Sequence, residues 1–252
     1  MTPTEPTTPQ NSYDDPDFFA GYATLRENPF SANAVLVDPT RDALLPSLAG
    51  KRVLDLGCGT GDFCRAALER GAASVTGVDI SERMLTVAAA YETDARLHYI
   101  RSPLETFTAP PASADVIVSI LALHYIADIT PIFARAADAL VPGGAFVFCV
   151  EHPIATARCA DAGWIKNEAG ARLHWAIDDY AREGIRHGAW IIADVPYYHR
   201  TLATYLNAVL EARLRITAVA EPTPDDDTVA ARPAFADARR RPLFLFIRAE
   251  KP

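Results

Sequence analysis

Apolar runs and helix-period stretches alternate along most of the chain. "RVLDL" (52–56), "SVTGVDI" (74–80), "LHYIR" (97–101), "DVIVSIL" (115–121) and "AFVFCVE" (145–151) read as strands. Most are continuous apolar runs, the pattern of strands buried on both faces. Amphipathic stretches near 62–70, 82–91 and 129–140 lie between them. Gly71 stops the first and "PGG" (142–144) the third. Upstream, 17–28 places Phe18, Tyr22 and Leu25 on one helical face, and 40–48 suggests a second helix ended by Gly50. This rhythm predicts an α/β fold with a doubly wound, mostly parallel sheet covered by helices.

The rhythm stops after His152. Residues 153–196 hold Trp164, Trp175 and Trp190, several charges and no βα pattern. An amphipathic helix (199–214) and a strand (215–221) restore it. Residues 222–242 are acidic, then basic, with four prolines, and read as a loop. "LFLFIRAE" (243–250) reads as a last strand. No internal repeat is present.

The turn after the first strand reads Gly57-Cys58-Gly59-Thr60-Gly61. A dinucleotide loop, G-x-G-x-x-G, needs glycine at 62, where Asp62 stands, and no Gly-Lys-Ser/Thr of a P-loop follows. An acid at a helix start competes with phosphate for the same amides and dipole. Asp55 beside the loop suits a ligand with positive groups. Asp79, at the end of the next strand, stands where doubly wound folds hold ribose hydroxyls. A ligand with a ribose and a cation but no phosphate is S-adenosylmethionine.

"VLDLGCGTG" with "VTGVDIS" resembles the class I S-adenosylmethionine-dependent methyltransferases of small-molecule type. The resemblance covers about 13–150 by motif, and the last helix and two strands by pattern. It implies a Rossmann-like sheet of seven strands, the last antiparallel and inserted, with S-adenosyl-L-methionine converted to S-adenosyl-L-homocysteine. Residues 1–12, rich in Pro and Thr, read as a disordered tail. The resemblance implies lid helices and a cofactor core at 13–152, an acceptor cap at 153–198, and the final helix and two strands at 199–252. Asp55, Gly57 and Gly59 would line the methionine part, and Asp79 the ribose. Ile80, Met84, Ser102, Pro103 and Leu104 would border the adenine, and Leu121 would offer backbone to the amine. Tyr22 and Arg26, at i and i+4 of one helix, would close over the carboxylate. "LEARLRITAV" has Arg213 where relatives usually have glycine.

Methyl transfer needs a nucleophile placed in line and water excluded; a general base helps when the nucleophile carries a proton. Three of the six histidines fall at the expected carboxyl edge: His124 as base or substrate anchor, with His152 and His199 as acceptor contacts. Tyr22 and Tyr13 reach the same space from the lid, and Glu151 is a weaker candidate. The cap is rich in aromatic residues: Trp164, Trp175, Tyr180, Trp190, Tyr197 and Tyr198. That composition favours a flat, apolar acceptor, indole-like or otherwise heteroaromatic, methylated on carbon, nitrogen or oxygen. "LALHY" stands where nucleobase and protein methyltransferases carry "NPPY". A quinone-type C-methyltransferase, a non-catalytic cofactor-binding scaffold and a dehydrogenase stay open as alternatives.

Charge and cysteines narrow the partners. The net charge of −8 argues against nucleic acid. No run of some 18 apolar residues predicts a membrane span, and "MTPTEPTTPQNS" lacks the features of a secretory signal. Cys58, Cys64, Cys149 and Cys159 form no CxxC pair, so buried reduced thiols, a cytoplasmic setting and no metal are expected. The Ala/Arg/Pro-rich composition resembles that of a high-GC bacterium. Small methyltransferases of this look often serve natural-product biosynthesis, and the cap offers a surface for a homodimer.

Overall fold

The computed structural model describes residues 9–91, 94–157 and 163–252. Helices α1 (Pro16–Glu27) and α2 (Asp38–Leu44) precede β1 (Arg52–Leu56), α3 (Asp62–Glu69), β2 (Ser74–Asp79), α4 (Glu82–Ala90), β3 (Leu97–Arg101), β4 (Ala114–Ile120), α5 (Thr130–Ala139) and β5 (Leu140–Glu151). Then come the short α6 (Pro153–Thr156) and four strands: β6 (Trp164–Lys166), β7 (Arg172–Trp175), β8 (Gly184–Trp190) and β9 (Ile192–His199). Helix α7 (Leu202–Glu211), β10 (Arg215–Ala220), α8 (Asp226–Ala231) and β11 (Phe244–Glu250) complete the chain.

Seven strands form one sheet in the order β10-β11-β5-β4-β1-β2-β3. Strand β11 runs antiparallel to both neighbours, and the five strands from β5 to β3 are parallel. The continuous apolar runs follow from burial on both faces. Along β5, Phe146, Phe148 and Val150 enter one core with Phe133 and Tyr205, whereas Val147 and Cys149 enter the other with Val53, Val75 and Phe246. In β4, Ile117 faces the first core while Val116 and Val118 face the second. Each such side chain contributes roughly 1.5–3 kcal/mol by leaving water.

The expected elements recur with boundaries moved by a few residues, and three readings change. Strand β5 begins at Leu140, because Pro142-Gly143-Gly144 form a bulge between the pairs Ala114–Leu140 and Val116–Ala145 rather than a simple stop. The expected loop at 222–242 contains α8 and a 3-10 turn (Pro233–Arg239). Asp225 caps α8 by accepting from Thr228 N, and Asp226 and Asp227 sit favourably in its first turn. The expected helix at 199–214 starts only at Leu202, with Thr201 as its cap, so His199 ends a strand.

Among the described residues, the stretch after β5 is α6 and two antiparallel hairpins, β6–β7 and β8–β9. No described helix is long and apolar enough to cross a membrane. Cys58, Cys64 and Cys149 are free and buried. Cys159 and the tail's residues 1–8 lie outside the described residues.

Candidate active site

The glycine turn leaves β1 with positive φ at Gly57 (85°), Gly59 (52°) and Gly61 (74°). A Cβ at Gly57 would run into Ala122, and one at Gly61 into the Tyr99 hydroxyl. Both positions therefore need glycine for space as well as for backbone conformation. The amides of Gly57 and Cys58 donate to Val78 O at 2.8 and 3.0 Å, which ties the turn to β2. Gly59 N then donates to Asp79 Oδ2 (2.8 Å) and Ser81 N to Asp79 Oδ1 (2.9 Å), so the Asp79 carboxylate is fixed in orientation. Opposite, Leu121 at the end of β4 is left-handed (φ 57°), a strained conformation for leucine that turns the chain at the cavity edge.

These elements enclose a cavity that includes Tyr13, Tyr22, Asp55, Asp79, Ile80, Leu104, Leu121 and Trp190. Among the described residues, its charged lining comprises the carboxylates Asp38, Asp55, Asp62, Asp79 and Glu105 and the guanidinium groups of Arg26 and Arg41. Arg26 pairs with Asp62 (2.9 Å) and Arg41 with Asp38 (2.7 Å), which leaves Asp55, Asp79 and Glu105. Burial raises the Asp55 carboxyl to about 7, eased by a hydrogen bond from Cys64 Sγ (3.4 Å) and by Arg41. Burial raises Asp79 as well. Buried carboxylates short of cationic partners suit a cationic, ribose-bearing ligand and repel phosphate. The donor set therefore fits S-adenosylmethionine.

The roof is aromatic. Tyr13 sits edge-on to Phe18 (4.8 Å), Tyr22 (5.5 Å) and Tyr125 (6.0 Å), and Trp190 at the tip of the β8–β9 hairpin packs edge-on to Phe18 (5.2 Å) and Tyr22 (6.2 Å). Gly21 lets α1 approach this tip, since a Cβ there would strike Ile191. Gln10, in the expected disordered tail, also lines the cavity.

A second cavity, of ≈ 270 Å³, adjoins the first and shares Tyr125 and Trp190 with it. Its other walls are Glu151, Ala155, Gly188, Ala189, Val195, Tyr197, Arg241, Leu243 and Phe244. A single water needs only about 10–15 Å³ on this measure, so a ring-sized ligand fits.

The cofactor residues expected from sequence gather in the first cavity: Tyr22, Arg26, Asp55, Gly57, Gly59, Asp79, Ile80, Leu104 and Leu121 line it together. Met84, Ser102 and Pro103 do not. Met84 is buried in α4's inner face, while Glu105, overlooked in the sequence, supplies an acid one residue beyond the expected turn.

Of the acceptor candidates, Tyr13, Trp190, Tyr197 and Glu151 reach the cavities, whereas His124, His152, His199, Trp164, Trp175, Tyr180 and Tyr198 do not. His124 stands apart from both cavities. It is buried beside Tyr125 (4.2 Å between rings), lines neither cavity, and burial with the nearby Arg200 charge lowers its pKa to about 3. Such a histidine stays neutral and is a poor base. His152 is occupied at the start of α6, accepting from Ile154 N (3.0 Å) and meeting Glu221 (2.7 Å). His199 bridges Thr156 Oγ1 (2.8 Å) and Tyr180 O (2.9 Å). The Tyr180 hydroxyl accepts from Leu202 N at the start of α7 (3.0 Å). Trp164 and Trp175 pair with each other (5.6 Å) across the β6–β7 hairpin, and Tyr198 is buried near Arg200. These side chains build the cap's own packing.

Fold and cavity together define a doubly wound protein that binds a phosphate-free adenosine cofactor. The chain matches the family described as Methyltransferase domain over residues 53–144. It is similar to an S-adenosylmethionine-dependent methyltransferase of known structure from Mesorhizobium loti, with 41% identity, TM-score 0.80, and coverage of 90% of this chain and 99% of that one. An uncharacterised Haemophilus influenzae protein is 38% identical over 95% of this chain and 96% of its own length. A ubiquinone biosynthesis O-methyltransferase of Idiomarina loihiensis is 42% identical over 104 residues, 40% of this chain and 42% of that enzyme. The chain belongs to the S-adenosylmethionine-dependent methyltransferases.

Proposed function

We propose that the chain methylates a small aromatic or heteroaromatic acceptor, with an indole-like ring favoured, in specialised metabolism. The observation that carries this reading is the second cavity, which meets the cofactor cavity at Tyr125 and Trp190 and is walled by Tyr197 and Phe244. Aromatic walls favour a flat apolar ligand.

The bound cofactor supplies an electrophilic methyl group on a sulfonium. Asp79 would hold the ribose, Asp55 would favour the cationic part, and Tyr22 with Arg26 would face the carboxylate. With cofactor and acceptor in place, the aromatic roof would help to exclude water from the space between them.

A quinone-type acceptor is the second reading, supported by the partial likeness to ubiquinone biosynthesis O-methyltransferases. The buried free thiols support a cytoplasmic setting.

Methyl-labelled S-adenosylmethionine offered with indoles, phenols, quinols and amines tests the proposal. Label on an indole supports it. Label on quinols alone selects the second reading, and no transfer to any ring refutes both.

A further inference from the structure

We infer that Arg200 is a positioning residue for methyl transfer: its buried guanidinium clamps the loop after β4 and so sets where Tyr125 and Ile126 stand in the wall of the cofactor cavity. This rests on the cofactor cavity and not on the reading of the acceptor.

Arg200 lies between His199, the last residue of β9, and Thr201, which caps α7. Both neighbours fix its backbone. Thr201 N and Oγ1 donate to Glu183 Oε1 (2.8 Å each), and Thr201 Oγ1 accepts from Thr204 N (3.2 Å). The Arg200 side chain runs inward and the residue is 6% exposed. Its Nη2 donates to Ile126 O and to Ala127 O (2.8 Å), joining segments 74 residues apart in the chain. The guanidinium lies over the rings of Tyr198 (5.5 Å) and Tyr205 (6.0 Å).

Among the described residues no carboxylate pairs with Arg200; carbonyl oxygens and tyrosine rings surround its charge. Desolvating a guanidinium is costly, and an apolar side chain of similar volume is often no less stable in such a place. What the apolar side chain cannot do is hold two successive carbonyls in one orientation, as a planar fork of donors does. The gain is placement of the loop rather than stability.

That loop is a wall of the site. It begins at Leu121 (φ 57°) and passes through a 3-10 turn (Leu123–Tyr125), with Tyr125 N donating to Ala122 O (3.1 Å) and Ile126 N to Leu123 O (3.3 Å). Leu121, Ala122, Tyr125 and Ile126 line the cofactor cavity, and Tyr125 borders the second cavity as well. The two clamped carbonyls directly follow Tyr125 in the chain. Behind the turn, the buried His124 ring packs on Tyr125 (4.2 Å) and stays neutral, so no second cation competes for the same carbonyls. Arg200 therefore ties the end of the β8–β9 hairpin, whose tip carries Trp190, to the loop that carries Tyr125. A shift of about 1 Å in such a wall is enough to spoil reacting geometry.

The test uses S-adenosylhomocysteine as probe and protein labelled with 3-fluorotyrosine, in which Tyr125→Phe identifies the Tyr125 fluorine signal. Arg200→Met should weaken S-adenosylhomocysteine about tenfold in calorimetry and shift the Tyr125 signal, with the far-ultraviolet circular dichroism unchanged. Arg200→Lys keeps a donor but not the fork, and should fall between Arg200→Met and the wild type. Ile247→Val, a buried change in β11 two strands from β4, is the control for lost stability alone and should leave affinity and signal as they are. Wild-type affinity together with an unshifted Tyr125 signal in Arg200→Met overturns the inference, and so does equal weakening by Ile247→Val. If Arg200→Met does not fold, Arg200→Lys decides by the same two readings.

Discussion

The Ser81 hydroxyl donates to the Asp14 carboxylate at 2.6 Å and joins the N-terminal segment to the start of α4. Asp14 also accepts from Arg83 N (3.1 Å), and its carbonyl accepts from Arg83 Nε (2.8 Å). These bonds hold the Asp14 carboxyl below the usual range despite partial burial. Ser81 N in turn orients Asp79, so one cluster connects the segment that carries the roof residue Tyr13 to the Asp79 carboxylate. Asp14→Ala should lower stability by about 1 kcal/mol and release S-adenosylhomocysteine several-fold faster in stopped-flow dissociation. An unchanged release rate would separate this cluster from lid opening.

Arg213 shows strain that the fold tolerates. Its φ is 58°, and it ends α7 with Arg213 N donating to Leu210 O (2.9 Å) and Leu214 N to Val209 O (3.2 Å). That is a Schellman ending, in which the left-handed residue is usually glycine. The side chain is exposed, so little packing offsets the strain. Arg213→Gly should raise stability by up to about 1 kcal/mol, or roughly 2–4 °C in Tm. A lower melting temperature in calorimetry would show that the Arg213 side chain contributes more than its backbone costs.

The order of strands and helices was legible because burial on both sheet faces leaves continuous apolar runs such as "AFVFCVE". The cofactor wall was legible because Gly57, Asp55 and Asp79 are neighbours in one βαβ unit, where local spacing fixes geometry. The wall of the second cavity was legible only in part. Glu151 and Tyr197 stood among the candidates and Tyr125 and Arg241 did not, because the four come from separate segments and meet only through packing. The cap's aromatic residues misled for a related reason: composition cannot tell a ring facing a cavity, such as Trp190, from rings facing each other, such as Trp164 and Trp175. His124 shows the same limit, since its place after β4 is right for a base but its side chain is buried away from both cavities.

His124 should be silent to pH where enzymes work. Burial, then the charge of Arg200, lowers its pKa to about 3, so the folded ring stays neutral well below the ordinary value of 6.5. The unfolded chain binds a proton below 6.5 that the folded chain refuses. This contribution is therefore lost as pH falls from 6.5 towards 3, and acid should destabilise the protein by several kcal/mol through this group. The His124 ring resonances in NMR should not move between pH 5 and 8. A titration centred near 6.5 would return His124 to the list of candidate bases.

Asp55 links cofactor affinity to pH. Its carboxyl is raised to about 7, mainly by burial, with Asp79 adding to the rise and Cys64 and Arg41 opposing it. The folded, ligand-free protein thus holds a proton between about pH 4 and 7 that the unfolded chain has lost, and stability falls as pH rises through that window. A cation in the cavity favours the ionised carboxylate and expels this proton. S-adenosylhomocysteine, through its ammonium group, should therefore bind more tightly from pH 5 to 7, by up to about tenfold per unit, and level off above. Calorimetry in buffers of different ionisation enthalpy should record a proton released at pH 6. Asp55→Asn should bind more weakly at pH 8 and lose most of the pH dependence; if the variant keeps the full slope, another group, with Asp79 first in line, carries the linkage.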